Sequence, residues 1–270
     1  MSYGLLRAIE DGIEVYDLAQ PLAPETPHSP NHPPFRMALM RRHGDMVRED
    51  GSSAANELIS TGGHTGTHVD ALAHVSYMGH LHDGTPADEA QRGGRFSTLG
   101  VDTIEPMACR GVLLDVAALH GVDVLPGGYG ITEEDLASAE RNAGVEVRAG
   151  DVVLVRSGWA KDFGDAGAFV GHDTGVPGPT EEAARWLAGR GVRATGAETI
   201  AYEQIKPEVG HALLPVHRLL LVEHGIHIIE VMNLAGLAAA GVYEFLFVLA
   251  PLKIVGGTGS PVRPLAVVQR

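Results

Sequence analysis

The segment Gly62-Gly63-His64-Thr65-Gly66-Thr67-His68-Val69-Asp70-Ala71-Leu72-Ala73-His74 places three histidines and one aspartate within eleven positions. Neutral imidazole and carboxylate together form a borderline ligand set suited to Zn²⁺ or Mn²⁺, and the absence of thiolates argues against a structural zinc site. His64 and His68 have helical spacing, but the interleaved glycines and threonines are poor helix formers. A glycine-rich turn into a short extended piece is expected instead. In that geometry His68 and Asp70 point to the same side, and the turn folds His64 back to meet them. The competing reading is a solvated loop in which some of the chain's 14 histidines meet by accident.

These residues need a scaffold, and the pattern around them suggests one. Ile13 to Leu18 reads as an early strand that runs into six prolines between Pro21 and Pro34. Such a density forbids helix and favours an extended, surface-following loop. Apolar stretches follow at Phe35 to Met40 and Ala55 to Ser60. Thr132 and Thr180 are N-cap hydroxyls ahead of acid-rich first turns, and Gly191 is a plausible stop for the second helix. Val152-Val153-Leu154-Val155 is a continuous apolar run typical of a strand buried on both faces. His211 to His224 reads as a helix with Pro215 near its first turns, Ile226 to Val231 as a strand, and Tyr243 to Val255 as a long strand. Strands alternating with helices argue for an α/β fold, and the absence of repeats or a linker argues for a single domain over residues 1–270.

Composition narrows the function. The 270 residues carry 20 basic and 34 acidic side chains, a net charge of −14. That balance repels phosphate backbones and anionic lipid, so nucleic-acid and membrane-surface binding are disfavoured. No stretch approaches the ~20 apolar residues of a membrane helix, and Met1 to Asp11 shows no secretory leader. The lone Cys109 excludes an internal disulfide and suits a reducing compartment; beside an apolar run it reads as a small core residue. A cytoplasmic protein acting on a small molecule is expected. No Gly-x-Ser-x-Gly elbow supports a serine nucleophile. Gly256-Gly257-Thr258-Gly259-Ser260 lacks the Gly-Lys-Ser/Thr ending and the following helix of a phosphate cradle.

The run from His64 to His74 resembles the H-x-G-T-H-x-D-x-P-x-H signature of the cyclase family of metal-dependent hydrolases. That family includes bacterial kynurenine formamidases and isatin hydrolases, with proteins assigned to polyketide ring closure. Further landmarks are similar in the same order: Tyr16-Asp17-Leu18 before the proline-rich loop, Val155 to Trp159, His217 to Leu221, Gly225 to Glu230, and Gly259 to Arg263. The resemblance implies a mixed, partly barrel-like β-sheet flanked by helices, of the swivelling β/β/α type, in a homodimer or homotetramer. It implies one or two Zn²⁺ or Mn²⁺ ions, with His64, His68 and Asp70 binding the first and His74 acting as general acid/base. Asp70 would bridge to a second ion held by His217 and Glu230.

Three departures stand beside the resemblance. Leu72 replaces the signature proline, the interval from His217 to Glu230 is one residue longer than in formamidases, and Ser29 to Pro33 stands where formamidases carry a tryptophan-containing segment. Glu230 lies in Ile228-Ile229-Glu230-Val231-Met232, where a carboxylate either faces solvent or needs a partner. His28 and His32 are candidates for substrate contact, and His80 and His82 for the entrance. Arg156 and Trp159 are expected to support the fold. The implied chemistry is hydrolysis of a C–N bond in an aryl formamide or cyclic amide. The alternatives are a cyclase or dehydratase acting on a carbonyl substrate, and a non-catalytic metal or ligand binder.

Overall fold

The computed structural model describes residues 3–270. In chain order its main strands are β1 (Ile13–Asp17), β2 (Arg36–Arg41), β3 (Asn56–Ser60), β4 (His68–Asp70), β5 (Met107–Asp115) and β6 (Val152–Arg156). They continue as β7 (Ala194–Ala197), β8 (His227–Glu230), β9 (Glu244–Leu249), β10 (Gly259–Pro261) and β11 (Leu265–Gln269). Nine of them form one curled, half-barrel sheet in the order β1-β11-β9-β5-β6-β7-β8-β4-β10. The central β5, β6, β7 and β8 are parallel, and antiparallel strands close both flanks. This is the mixed α/β fold expected from the sequence.

The apolar run at 152–155 explains the layering. Val153 and Val155 join a core with Leu136, Leu187, Leu220 and Ile228 on the face covered by helices. Val152 and Leu154 join Leu18, Leu113, Ile229 and Phe247 on the other. A central strand buried on both faces has no polar residue to expose, which is why periodicity vanishes there. Two helices pack on the first face. Helix α1 (Glu133–Ala143) opens on a reciprocal cap between Thr132 and Asp135 and ends at Gly144, whose φ is +64°. Helix α2 (Glu181–Gly189) starts at the Thr180 hydroxyl and stops ahead of Gly191, also in the left-handed region.

Two elements are shorter than their sequence patterns. The segment 211–224 is not one helix: Gly210–Ala212 is a separate 3₁₀ turn, and helix begins only at Pro215. Proline disfavours helical backbone at the residue before it, and Leu214 sits at φ −127° and ψ 71°. Past His217 the chain widens into π-helix over Arg218–Glu223. The run 243–255 is strand only to Leu249, because Pro251 has no N–H to donate to a ladder. The apolar stretches at 35–40 and 55–60 pair as an antiparallel ribbon, β2 with β3, outside the main sheet. No helix among the described residues is long and apolar enough to cross a membrane.

Candidate metal centre

Three adjacent strands bring the residues together. In the antiparallel pair of β4 and β8, His68 lies opposite Glu230, and directly opposed residues share a face. On the other side of β4, Gly259 of β10 lies opposite Asp70. The His64 ring occupies the space a Cβ on Gly259 would need, so the glycine is what lets the turn fold back. His217 arrives from the helical turn that Pro215 starts. Two non-glycine residues hold left-handed backbone beside buried acids: Val231, at φ +55°, follows Glu230, and Tyr202, at φ +56°, precedes Glu203. For bulky or β-branched side chains this conformation is strained and is maintained only by surrounding structure.

The six sequence-predicted site residues converge. His64, Asp70 and His74 offer ligand atoms within 4.8 Å of one another, and so do Asp70, His217 and Glu230. His64 Nδ1–H donates to Asp70 Oδ1 at 2.7 Å, and its Nε2 accepts from the Thr258 hydroxyl at 2.9 Å. His68 Nδ1 bonds the Gly66 carbonyl at 2.7 Å. A carbonyl can only accept, so Nδ1 carries the proton and Nε2 turns inward, with a lone pair there whenever the ring is neutral. That lone pair lies 3.3 Å from Glu230 Oε2 and 3.6 Å from Asp70 Oδ1.

His217 repeats the arrangement. Its Nδ1–H donates to Glu203 Oε1 at 2.8 Å, leaving Nε2 3.1 Å from Glu230 Oε1 and 3.7 Å from Asp70 Oδ2. Asp70 Oδ2 and Glu230 Oε1 are buried without a hydrogen-bond partner among the described residues. Lone pairs and carboxylate oxygens facing one another in a dry site repel unless a cation stands between them. The donor set therefore fits a divalent ion, with oxygen and imidazole ligands of the kind zinc and manganese accept.

The carboxylates draw positive charge to this point, and without a metal ion that charge is a proton on the imidazoles. Burial alone would lower the pKa of His68, but Glu230 and Asp70 reverse it and the net shift is upward. His217 is likewise driven well above its ordinary value, against burial, by Glu203 and Glu230. Asp70 is held far below the usual carboxylate range: burial opposes this, and His74 and His64 outweigh it. His74 behaves differently. Burial pushes it down to about 3, with Asp70 opposing, so its ring is neutral. It stacks on His64 with ring centroids 3.9 Å apart.

The remaining candidates divide. His32, on the proline-rich loop, stacks on His64 at 4.9 Å and lies 6.1 Å from His74; His28 bonds the Thr26 carbonyl instead. His80 and His82 are not among the clustered ligand atoms. Their rings are exposed and bonded to the carbonyls of Met78 and Val222. Arg156 pairs with Asp115 at 2.8 Å and Trp159 donates to the Phe169 carbonyl, both as structural supports. Sequence reasoning missed three residues. Glu203 accepts from the backbone and ring of His217 and from the Val216 amide. His211 reaches the Ser29 hydroxyl on the proline-rich loop at 3.2 Å. Thr258 holds His64 from within the glycine run set aside as a failed phosphate motif. Glu230 closes its own strand, whereas Glu203 lies six residues beyond β7, so no strand pattern pointed to it.

Comparison with known proteins agrees with this geometry. The Cyclase family model, described as "Putative cyclase", matches residues 16–204. An isatin hydrolase of Roseibium aggregatum is 29% identical over 265 residues, covering 96% of this chain and 93% of the relative. A solved structure described as a novel cyclase aligns with a TM-score of 0.85 at 28% identity, covering 98% of this chain and 93% of its own. Isatin hydrolase A from Ralstonia solanacearum aligns with a TM-score of 0.76 at 28% identity, over 99% and 98% of the two chains. The match to the family model takes in the whole segment from His64 to His74 together with strands β4 to β7, and the chain belongs to the cyclase family.

Proposed function

We propose that the protein is a metal-dependent hydrolase that cleaves the C–N bond of an aryl formamide or cyclic amide, with Zn²⁺ or Mn²⁺. The observation that carries this reading is the convergence of His217 Nε2 on the unpartnered oxygens of Asp70 and Glu230, with His68 Nε2 beside the other oxygen of each carboxylate. His64, His68 and Asp70 would hold one ion, which His64 would ligate by giving up the Nδ1 proton it now shares with Asp70; Asp70, His217 and Glu230 would hold a second. Such an ion, when bound, would lower the pKa of water to about 7 and polarise the carbonyl under attack. The isatin hydrolase relative supports C–N cleavage as the reaction.

The protein's own groups then handle the proton. His74 is neutral and faces the cluster, so it accepts a proton from the attacking water and returns it to the leaving nitrogen. Glu203 fixes the His217 tautomer, and the Gly66 carbonyl fixes that of His68. Stripping the metal, reloading Zn²⁺ or Mn²⁺, and assaying N-formyl anilines, isatin and aryl polyketides tests the reading. Release of formate or of a ring-opened acid is expected only from the reloaded protein. Turnover without uptake of water would overturn it in favour of ring closure.

A further inference from the structure

The carboxyl ends of the parallel strands carry a second group of charged side chains, outside the metal-ligand set. Asp115 closes β5, Arg156 closes β6 and Glu198 follows β7, while Glu230 of the metal centre closes the neighbouring β8. In open α/β sheets this edge is where ligands bind. Here a cleft of about 400 Å³ opens, lined by Asp123, Arg156, Gly158, Lys161, Glu198 and Asn233.

Two of these side chains are left incomplete by their own neighbours. Glu198 is fully buried, and its Oε2 accepts from the Ser157 hydroxyl and from the backbone amides of Ser157 and Gly158. Its Oε1 is buried with no partner among the described residues. Arg156 engages Asp115 through Nη1 and the Asp123 carbonyl through Nη2, and its buried Nε–H also lacks an acceptor there. An acceptor and a donor thus line one cleft without meeting, and each such group costs free energy when buried unsatisfied. Burial holds the Glu198 carboxyl above its ordinary pKa against Arg156 and the two amides, so the protein's own groups do not fully compensate its charge.

A bridging water fills roughly 30 Å³, a small part of this cleft. The rim adds Lys161 and Asp123, with side chains 65% and 91% exposed. The lining therefore carries two cations and two anions, which complements a ligand bearing one charge of each sign. We infer that the cleft is a second small-molecule site, for a zwitterion of the α-amino acid class, its carboxylate against Arg156 and Lys161 and its ammonium donating to Glu198 Oε1. A ligand with only a negative charge is repelled by Glu198 and Asp123, and one with only a positive charge by Arg156 and Lys161. The cleft also joins two loops. Ala197 and Thr199 accept from the Met232 and Val231 amides, so an occupant touching Glu198 and Asn233 braces the segments that lead to Glu203 and away from Glu230.

Calorimetric titration of the full chain with L-alanine, propionate and ethylamine tests the inference, since the last two each carry one half of the zwitterion. L-Alanine is expected to bind with a Kd of about 1 mM or below, and each half at least roughly 10-fold more weakly. Glu198→Gln keeps an oxygen for the Ser157 and Gly158 amides but removes the charge, and should weaken L-alanine binding roughly 10- to 100-fold. Lys161→Ala alters an exposed side chain and leaves the core untouched; it should weaken binding about 2- to 5-fold. Affinity unchanged in either variant overturns the inference and places L-alanine elsewhere, the metal centre included. So does propionate or ethylamine binding as tightly as L-alanine. Absence of heat at about ten times the expected Kd overturns it as well, and leaves the cleft to water.

Discussion

Asp70 belongs to both candidate ligand groups, and the stacked imidazoles of His64 and His74 beside it have different duties. His64 is pinned at both ring nitrogens, by Asp70 and Thr258, whereas His74 is held by stacking and kept neutral by burial. His74→Ala should leave metal content unchanged and lower turnover by roughly 10²–10⁴-fold. Loss of metal in that variant, read by elemental analysis, would make His74 a ligand and leave the acid/base role vacant. Glu203 acts through His217. Glu203→Gln should weaken metal binding about 10- to 100-fold by calorimetry, the usual effect of losing a carboxylate behind a ligating histidine; affinity equal to the parent's would deny it a positioning role. The ligand turn was legible because its residues lie within eleven positions. Glu203 was not, because its partner lies 14 positions away and meets it only through a strained turn at Tyr202.

The helices were read correctly where local chemistry decides, and misread where a proline or a tertiary contact does. The start of α1 shows the first case. Burial pushes the Asp135 carboxyl up, but bonds from Thr132, His120 and Tyr129 outweigh it and its pKa is lowered. A carboxyl whose folded pKa lies below its unfolded value of about 3.9 contributes stability above that value and loses it as pH falls through the folded pKa. Asp135→Ala should therefore be less stable than the parent protein at pH 7, by about 1 kcal/mol from the cap. The gap should narrow below about pH 4; a gap independent of pH in urea unfolding would exclude the carboxylate as its source. The second case is 211–224, where amphipathic spacing suggests a continuous helix. Pro215 resets the start, and the π-helical turn after His217 gives up regular hydrogen bonding beside the site, as such turns often do.

At the scale of the whole molecule, the sheet collects at one point groups that repel each other without a cation. Removing metal should therefore destabilise the entire fold and not only silence it. Adding Zn²⁺ or Mn²⁺ at about 100 times its Kd should restore roughly 2.7 kcal/mol, seen as a raised Tm; a Tm indifferent to chelator would count against ligation. The sheet was legible from its apolar runs, and its curl came from the family resemblance alone. The ribbon's exposure was not legible, because the same apolar stretches would suit a buried hairpin. Its attachment has a practical consequence. The chain departs for the ribbon at Arg36 and comes back at Ser60, which are hydrogen-bonded neighbours, while the stacked His32 and His64 each sit four residues outside those points. The excursion is thus a detour whose two feet stand side by side. A short hairpin turn could replace it without altering the distance the backbone must bridge, yielding a trimmed chain with its histidine stack in place.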